Sequence, residues 1–290
     1  MKHQSPRHPV SASPTPSRSA KRRFGQNFLV DRTVVDRIVT AVAPRSDETI
    51  LEIGSGQGAL TARLLETAGR VAAIEFDREL VPFLRSKFAG VANLHLIEAD
   101  ALTTDFRAAI APAPHARVVA NLPYNIATAI LQRLIEQREC ISEMVLMLQR
   151  EVVDRITAEP GSSERGYLSV LIEAYCEAEK LFDVPPQAFR PAPKVWSSIV
   201  RLRVRPRIAA DVKDEALLWQ IVSAGFAQRR KTILNNLRDA PESIRELLEK
   251  RGGASIVLCA AGIPPLRRAE TFTLEEWALL VNALQGSSQR

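Results

Sequence analysis

Cysteine and histidine are scarce in this chain of 290 residues, which contains 3 cysteines and 4 histidines. Cys140, Cys176 and Cys259 lie far apart in the sequence, so they form no metal-type pair and predict no disulfide framework. This usage fits a reducing compartment, and we expect a cytoplasmic protein. The histidines do not cluster either, which gives little support to a metal site or to a histidine-based catalytic triad. They stand at His3, His8, His95 and His115.

Long apolar runs are also missing, because no run approaches the roughly 20 residues that a membrane helix needs. Hydrophobic residues make up 46% of the chain and charged residues 25%, as is typical of a soluble globular protein. The length allows one large domain and a small one. The formal net charge of +6 favours a polyanionic partner without identifying it.

Acidic residues are absent before Asp31. Residues 1–20 are rich in serine, proline and arginine, and their prolines prevent a continuous helix. The segment has no apolar core and is therefore not a secretory signal. We predict a disordered basic tail over residues 1–20. An organelle transit peptide is the alternative, although the prolines oppose the amphipathic helix that such a peptide needs.

The stretch Asn121–Tyr124 reads NLPY, follows a short apolar run and precedes an apolar helical pattern over residues 126–135. A strand that ends here places the asparagine amide and the tyrosine ring at its carboxyl end, where open α/β sheets bind ligands. The amide oxygen can accept a hydrogen bond and the ring can stack, which together suit a planar amine. An ordinary Asn-Pro turn with a packing tyrosine is the alternative.

A glycine-rich turn, Gly54-Ser55-Gly56-Gln57-Gly58, follows a predicted buried strand over residues 49–53 and precedes a helical pattern. Its G-x-G-x-G spacing differs from the dinucleotide fingerprint, and it lacks the Lys-Ser/Thr of a P-loop. Glu75 closes the next predicted strand, about 20 residues after the glycines, where an acid suits a ribose diol. Asp100 follows a third predicted strand, over residues 94–97.

Strands and helices alternate through this part of the chain, with a fifth predicted strand over residues 144–148. The alternation predicts an α/β fold with a doubly wound, Rossmann-like parallel sheet. Gly54, Glu75, Asp100 and Asn121 would then share one rim of that sheet. All patterns after about residue 208 are helical, so we predict a main domain over residues 21–207 and a small all-helical domain over residues 208–290.

The sequence EIGSGQG, the two acids that close strands and NLPY resemble class I S-adenosylmethionine-dependent methyltransferases that act on an amino nitrogen. The segments GQNFL, LQREV, YLSV, FRPAPKVWSS and QRRKT follow in family order. From about Lys21 to Leu284 the chain resembles ribosomal RNA adenine dimethyltransferases of the KsgA/RsmA type. Two positions depart from the usual family pattern: Ser55 stands where proline is common, and Trp196 where a small polar residue or aspartate is common.

The resemblance implies S-adenosylmethionine as the cofactor and adenine as the target. The Asn121 side-chain carbonyl and the Leu122 backbone carbonyl would accept hydrogen bonds from the adenine amine. Tyr124 would stack on one face of the base and Phe189 on the other. The cofactor would lie with its methionine part on Gly54, its ribose on Glu75 and its adenine amine on Asp100, beneath Asn27 and Leu29; Asn121 would also touch it.

Basic residues near these motifs are candidates for RNA contact. Period two places four arginines on one face of a predicted strand over residues 199–207. A solvated face is one interpretation, whereas the nearby Lys194 favours a surface that follows RNA phosphates. QRRK, over residues 228–231, is predicted to lie in the second helix of the helical domain. The predicted RNA-binding residues are Arg22, Arg23, Lys194, Arg201, Arg229, Arg230 and Lys231.

The implied activity is N6,N6-dimethylation of two adjacent adenines in the 3′-terminal hairpin loop of small-subunit (16S) ribosomal RNA. The implied partner is the assembling 30S particle, and we expect a monomer that needs no membrane and no metal. A large-subunit adenine methyltransferase of the macrolide-resistance type is one alternative, although the LQREV and QRRKT segments favour the first. The others are a mitochondrial homologue that doubles as a transcription factor and an RNA-binding assembly factor whose methyl transfer is incidental.

Overall fold

A computed structural model describes residues 26–286. The predicted basic tail and the predicted RNA contacts Arg22 and Arg23 lie outside the described residues. Seven strands form one sheet, in the order β4-β3-β2-β5-β6-β9-β7. These strands are β2 (Thr49–Ile53), β3 (Arg70–Glu75), β4 (Leu94–Glu98), β5 (Ala116–Asn121), β6 (Ile141–Gln149), β7 (Cys176–Val184) and β9 (Ser197–Val204).

The Rossmann-like sheet is confirmed, but it is mixed rather than parallel. Strands β4, β3, β2, β5 and β6 pair in parallel. Strand β9 runs antiparallel to both of its neighbours, β6 and β7. Strand β7 was not predicted, and β9 begins two residues earlier than predicted and ends at Val204.

Helices cover both faces of the sheet, as a doubly wound fold requires. One face packs mainly against α1 and α2, and the other against α4, α5 and α7. Strand residues alternate between the two cores, since Ile50 faces the first and Leu51 the second. The helices up to this point are α1 (Arg32–Val42), α2 (Ala59–Leu64), α3 (Leu80–Lys87), α4 (Phe106–Ile110), α5 (Ala127–Glu136), α6 (Arg150–Ile156) and α7 (Tyr167–Tyr175).

The C-terminal part is helical, as predicted, and its core continues into the second face of the sheet. Residues 228–231 do not lie in a helix, however. They form the turn before α9, because Thr232 is the N-cap of that helix and accepts a hydrogen bond from the Asn235 N–H. The helices are α8 (Glu215–Gly225), α9 (Ile233–Arg238), α10 (Glu242–Glu249), α11 (Ala254–Ala260) and α12 (Leu274–Gln285).

A two-stranded sheet holds the N-terminal segment against the main sheet. Strand β1 (Phe28–Leu29) pairs antiparallel with β8 (Phe189–Arg190). The pairing places residues 26–29 over the carboxyl ends of the central strands, where they line a cleft. Within residues 26–286, no helix has the length and apolar character that crossing a membrane would require.

Candidate active site

The predicted rim exists. Gly54 directly follows β2, Glu75 ends β3, Asp100 follows β4 and Asn121 ends β5. These strands are adjacent and parallel, so their carboxyl ends meet at one edge of the sheet.

Two adjoining clefts lie on this rim. The inner cleft, of about 690 Å³, is lined by the N-terminal segment, the glycine turn and NLPY. The outer cleft, of about 820 Å³, shares Gln26, Gly54, Glu75 and Pro123 with it and extends to Asp100. The predicted residues that line the inner cleft are Asn27, Leu29, Gly54, Glu75, Asn121, Leu122 and Tyr124.

The glycine turn has the backbone conformation that its composition predicts. Gly54 has a φ of +76° and Gly56 a φ of +56°, values that favour glycine. A Cβ atom on Gly56 would lie 3.2 Å from the Phe28 ring. The turn is tied to β3, because the Gly54 N–H donates to the Ile74 carbonyl at 2.8 Å. The backbone at Gly54 and Gly56 therefore lines the inner cleft with no side chain in the way, between β3 and the Phe28 ring.

Glu75 stands at the junction of the two clefts and is only 5% exposed. Its carboxylate accepts hydrogen bonds from the Gly56 N–H and the Asp77 N–H, both at 2.8 Å. Burial raises the pKa of Glu75, although these backbone hydrogen bonds oppose the shift. Each carboxylate oxygen accepts more than one hydrogen bond, so Glu75 can hold the turn and still accept from a ligand.

Glu52 is a cleft residue that the sequence reasoning missed. It belongs to β2, is 1% exposed and lines the inner cleft. One carboxylate oxygen accepts hydrogen bonds from Ser55 Oγ at 3.0 Å and Thr61 Oγ1 at 2.6 Å. Burial raises the pKa of Glu52 to about 7, although both hydrogen bonds lower it. The sequence feature that could have identified Glu52 is that it is the single charged residue in the TILEI strand.

The raised pKa of Glu52 predicts an unusual dependence of stability on pH. The folded protein holds this proton more tightly than the unfolded chain does, so the stabilisation is complete below the ordinary value of 4.5 and is lost as pH rises through about 7. Between about pH 5 and pH 8, Glu52→Gln should therefore gain roughly 3 kcal/mol of unfolding free energy relative to the parent chain. Urea unfolding of both proteins at each pH measures this difference, and parallel pH profiles would contradict it.

The side chains of NLPY are held in place by specific contacts. Asn121 Nδ2 donates to the Asn27 backbone carbonyl at 3.2 Å. This contact commits the amide nitrogen to the N-terminal segment and leaves the side-chain carbonyl as the group that Asn121 can offer to a substrate amine. The Tyr124 hydroxyl hydrogen-bonds Ser197 Oγ at 2.6 Å, and Ser197 is fully buried. The sequence reasoning did not single out Ser197.

Phe189 is not brought to either cleft. Its side chain is fully buried in the core that α1 and α2 cover, and its backbone pairs with Leu29. The structure therefore does not place Phe189 opposite Tyr124, as the resemblance implied, because pairing of β8 with β1 turns the ring inward.

The arginines of β9 are paired with glutamates and do not form a free basic face. Arg201, whose side chain is 18% exposed, contacts Glu179 at 3.1 Å and Glu143 at 3.6 Å. It also donates to the Ala41 carbonyl at 2.7 Å. Arg203 contacts the same two glutamates. These contacts correct the prediction for Arg201, and we leave it out of the proposed RNA surface.

The other predicted RNA contacts lie at the surface. Lys194 and Arg229 are exposed, and Arg229 donates to the Ser163 carbonyl. Lys231 forms an ion pair with Asp239 at 2.8 Å. Arg230 is exposed and forms no ion pair with any residue from 26 to 286. Within residues 26–286, the turn therefore presents two guanidinium groups without an ion pair, one of them held by a carbonyl, beside a lysine that is paired with Asp239. Over the same range there is no group of three histidine, cysteine or acidic residues that could hold a metal ion.

Comparison with known proteins identifies the family. A family model described as ribosomal RNA adenine dimethylase matches residues 17–278. A Ribosomal RNA small subunit methyltransferase A from Chromohalobacter salexigens is 44% identical over 278 residues, which cover 94% of each chain. Another of that name, from Hahella chejuensis, is 48% identical over 219 residues, covering 76% of this chain and 80% of the relative.

Solved structures give the same result. A dimethyladenosine transferase from Plasmodium falciparum superposes with a TM-score of 0.71 at 25% identity, covering 87% of this chain and 95% of that one. The 23S rRNA methyltransferase ErmE superposes with a TM-score of 0.67 at 29% identity, covering 90% of this chain and all of the other. With NLPY and the glycine turn on one rim, this chain belongs to the ribosomal RNA adenine dimethylase family.

Proposed function

We propose that this protein uses S-adenosylmethionine to dimethylate N6 of two adjacent adenines in the 3′-terminal hairpin loop of small-subunit (16S) ribosomal RNA. It would act as a cytoplasmic monomer on the assembling 30S particle, and so contribute to small-subunit biogenesis. The curated relatives named for the small subunit, at 40–48% identity, support the choice of RNA. The observation that carries the chemistry is the Asn121 amide, fixed by Asn27 in the same cleft as Tyr124 and the glycine turn.

S-adenosylmethionine fits the two adjoining clefts because their donors and acceptors match its parts. Gly54 and Gly56 let the backbone approach the methionine part closely, and the Glu75 carboxylate suits the ribose hydroxyls. Asp100, held by the Leu102 N–H at 2.9 Å, suits the adenine amine. Asn27 and Leu29 would cover the cofactor from the N-terminal segment. When bound, the cofactor supplies an electrophilic methyl group on a sulfonium.

The residues of NLPY would orient the target amine. The adenine amino group is a poor nucleophile because its lone pair is delocalised into the ring. The Asn121 side-chain carbonyl and the Leu122 backbone carbonyl would accept its two N–H bonds and favour pyramidal nitrogen as charge develops. The Leu122 N–H donates to the Met147 carbonyl at 3.3 Å, which fixes this part of the turn. The nitrogen loses its proton after transfer, so no strong base is required.

Tyr124 would hold the target base by stacking on its ring. Its hydroxyl is anchored by Ser197, so the orientation of the ring is set before the base arrives. The base has to leave its own stack to enter the cleft, and an unpaired loop adenine does so at the lowest cost. This requirement favours a hairpin loop over a duplex as the substrate.

RNA outside the cleft would be held by the basic turn over residues 228–231 and by Lys194. Arg230 is the group in this turn with the most donors free for a phosphate, because Arg229 already gives one N–H to the Ser163 carbonyl and Lys231 is paired with Asp239. Arg22 and Arg23, outside the described residues, stay as proposed contacts.

Replacing Arg229, Arg230 and Lys231 together by alanine should weaken RNA binding and flatten its salt dependence. Each lost phosphate contact lowers the slope of log affinity against log salt by about one unit at most. Arg230→Ala should have the largest effect of the three single substitutions. Arg45→Ala is a matched control, because Arg45 is exposed and pairs with Asp47 in the turn before β2. This turn lies at the amino end of β2, opposite the clefts at its carboxyl end. Filter binding over a salt series measures both quantities; lower affinity with an unchanged slope would indicate a folding defect.

A methylation assay on both ribosomal subunits distinguishes this function from two others. The likeness to ErmE keeps large-subunit RNA as the second candidate. An assembly factor whose methyl transfer is incidental is the third. Purified small and large subunits that lack the modification should be incubated with labelled S-adenosylmethionine, and the modified bases mapped. Label in two adjacent adenines of small-subunit RNA supports the proposal, label in large-subunit RNA supports the second candidate, and binding without label supports the third.

A further inference from the structure

Trp196 is an exposed aromatic residue that the proposed chemistry does not use. Its side chain is 45% exposed. The other two tryptophans of the chain are covered: Trp277 is fully buried, and Trp219 packs against the rings of Tyr167 and Tyr175 at centroid distances of 5.8 and 5.6 Å. An open indole ring of this kind is available to stack on a flat partner.

The backbone fixes Trp196 at the rim of the active site. Its carbonyl accepts a hydrogen bond from the Arg150 N–H at 2.9 Å. The next residue, Ser197, holds the Tyr124 hydroxyl at 2.6 Å. Ser197 pairs with Gln149 of β6, the strand that also pairs with Asn121. Trp196 therefore stands at the same end of the sheet as the NLPY turn, two strands further along, with β6 between them.

The surroundings of Trp196 are basic. Lys194, Arg190 and Arg150 are all exposed. The sequence contains no acidic residue between Asp183 and Asp211, and Glu151, which follows Arg150, is the exposed acid next to this group. Asp183 is already held by Ser198 at 2.5 Å and Lys180 at 3.0 Å. None of these three cations forms an ion pair with a residue from 26 to 286. A flat apolar ring near such cations matches a nucleotide, which presents a base to the ring and a phosphate to the cations.

We propose that Trp196 is a stacking platform for the nucleotide next to the adenine that occupies the inner cleft, with Lys194 beside it to contact a phosphate. This inference rests on the proposed function and names how the same site holds its RNA. While Tyr124 holds the target base, Trp196 would keep the adjacent base out of the cleft and in a fixed position. Trp196 thus acts as a positioning residue, because it touches RNA but not the reacting atoms.

The first test measures methylation of unmodified small subunits. Trp196→Ala should lower kcat/KM for the subunit by about 5- to 150-fold, the range expected from loss of one base–aromatic stack, chiefly through KM. Trp196→Phe should retain most of the parental activity and Trp196→Leu should not, because only phenylalanine keeps a π face. Val195→Ala is the matched control, since Val195 is 43% exposed in the same loop, and it should behave like the parent. Activity of Trp196→Ala equal to that of the parent would overturn the inference, as would equal rescue by leucine.

The second test reads the stack directly by fluorescence. A hairpin oligonucleotide with two adjacent loop adenines should quench tryptophan emission of the parent chain but not of Trp196→Phe. The same hairpin should lose most of the quenching when the adenine next to the target adenine is replaced by an abasic site. Equal quenching of both proteins would overturn the inference. If the parent fails to methylate small subunits, the proposed function fails, whereas normal methylation by Trp196→Ala would remove only the stacking platform.

Discussion

Asn121→Ala should lower the methylation rate by about two to three orders of magnitude while cofactor affinity changes by no more than a few-fold. The reason is that the Asn121 carbonyl is a preorganised acceptor for an N–H bond of the adenine amine. Loss of one such group typically costs about 2.7–4 kcal/mol of transition-state stabilisation. The rate should be measured in a single turnover, so that slow release of the subunit does not mask the chemical step.

Asn121→Asp separates the two contacts of this side chain. Both variants lose the amide that donates to the Asn27 carbonyl, but only aspartate keeps an acceptor for the substrate. Partial activity of the aspartate variant beside an inactive alanine variant would assign the effect to the acceptor. Equal loss in both would assign it to anchoring of the N-terminal segment. If the alanine variant methylates at nearly the parental rate, NLPY is only a stiff turn and the acceptor lies elsewhere.

The central part of the fold and its rim could be predicted because they depend on local sequence. Strands β2 to β6 are short apolar runs, and a turn, an acid or an asparagine marks the carboxyl end of β2 to β5. Parallel pairing then brings Gly54, Glu75 and Asn121 to one edge without further information. The structure confirms this placement.

The far side of the sheet could not be predicted because its stability comes from contacts between distant segments. The edge strand β7 carries charged residues that read as a solvated segment. Of its members, Glu179 pairs with Arg201 of β9 and Glu177 with Arg205, just after β9. Arg201 also contacts Glu143 of β6, 58 positions earlier in the chain. Period two correctly placed Arg201 and Arg203 on one face, since both contact Glu143 and Glu179, but the strand ends before Arg205 and Arg207. The period carries no information about the acids on neighbouring strands.

The surroundings of individual site residues were the second feature that could not be predicted from the sequence. Phe189 was assigned by resemblance, which transfers the identity of a residue but not its burial, and the ring lies inside the core. Glu52 was not predicted because its strand was interpreted as buried and apolar, in spite of this single acid. The acid is stabilised there by Ser55 and Thr61, which come from the glycine turn and from α2. Ser55, one of the two departures from the usual family pattern, thus has a structural role in this chain.

Glu75→Ala should weaken binding of S-adenosylmethionine by about 10- to 150-fold, because the ribose diol loses a charged acceptor worth roughly 1.5–3 kcal/mol. The variant also releases the Gly56 and Asp77 N–H groups that Glu75 accepts from. Isothermal titration with the cofactor measures the affinity, and thermal unfolding without cofactor reports any loss in the turn itself.

Glu98→Ala is the matched control for this change. Glu98 is the register partner of Glu75 on the next strand, but its side chain is 41% exposed and it contacts Arg78 and Arg85 only at 3.8 Å. Because Glu98 is absent from the linings of both clefts, its removal should leave cofactor affinity unchanged. Equal affinities of the two variants would remove Glu75 from the cofactor site. A fall in affinity for Glu75→Ala with an unchanged unfolding temperature would assign it to the ribose contact, since a collapsed turn would lower both.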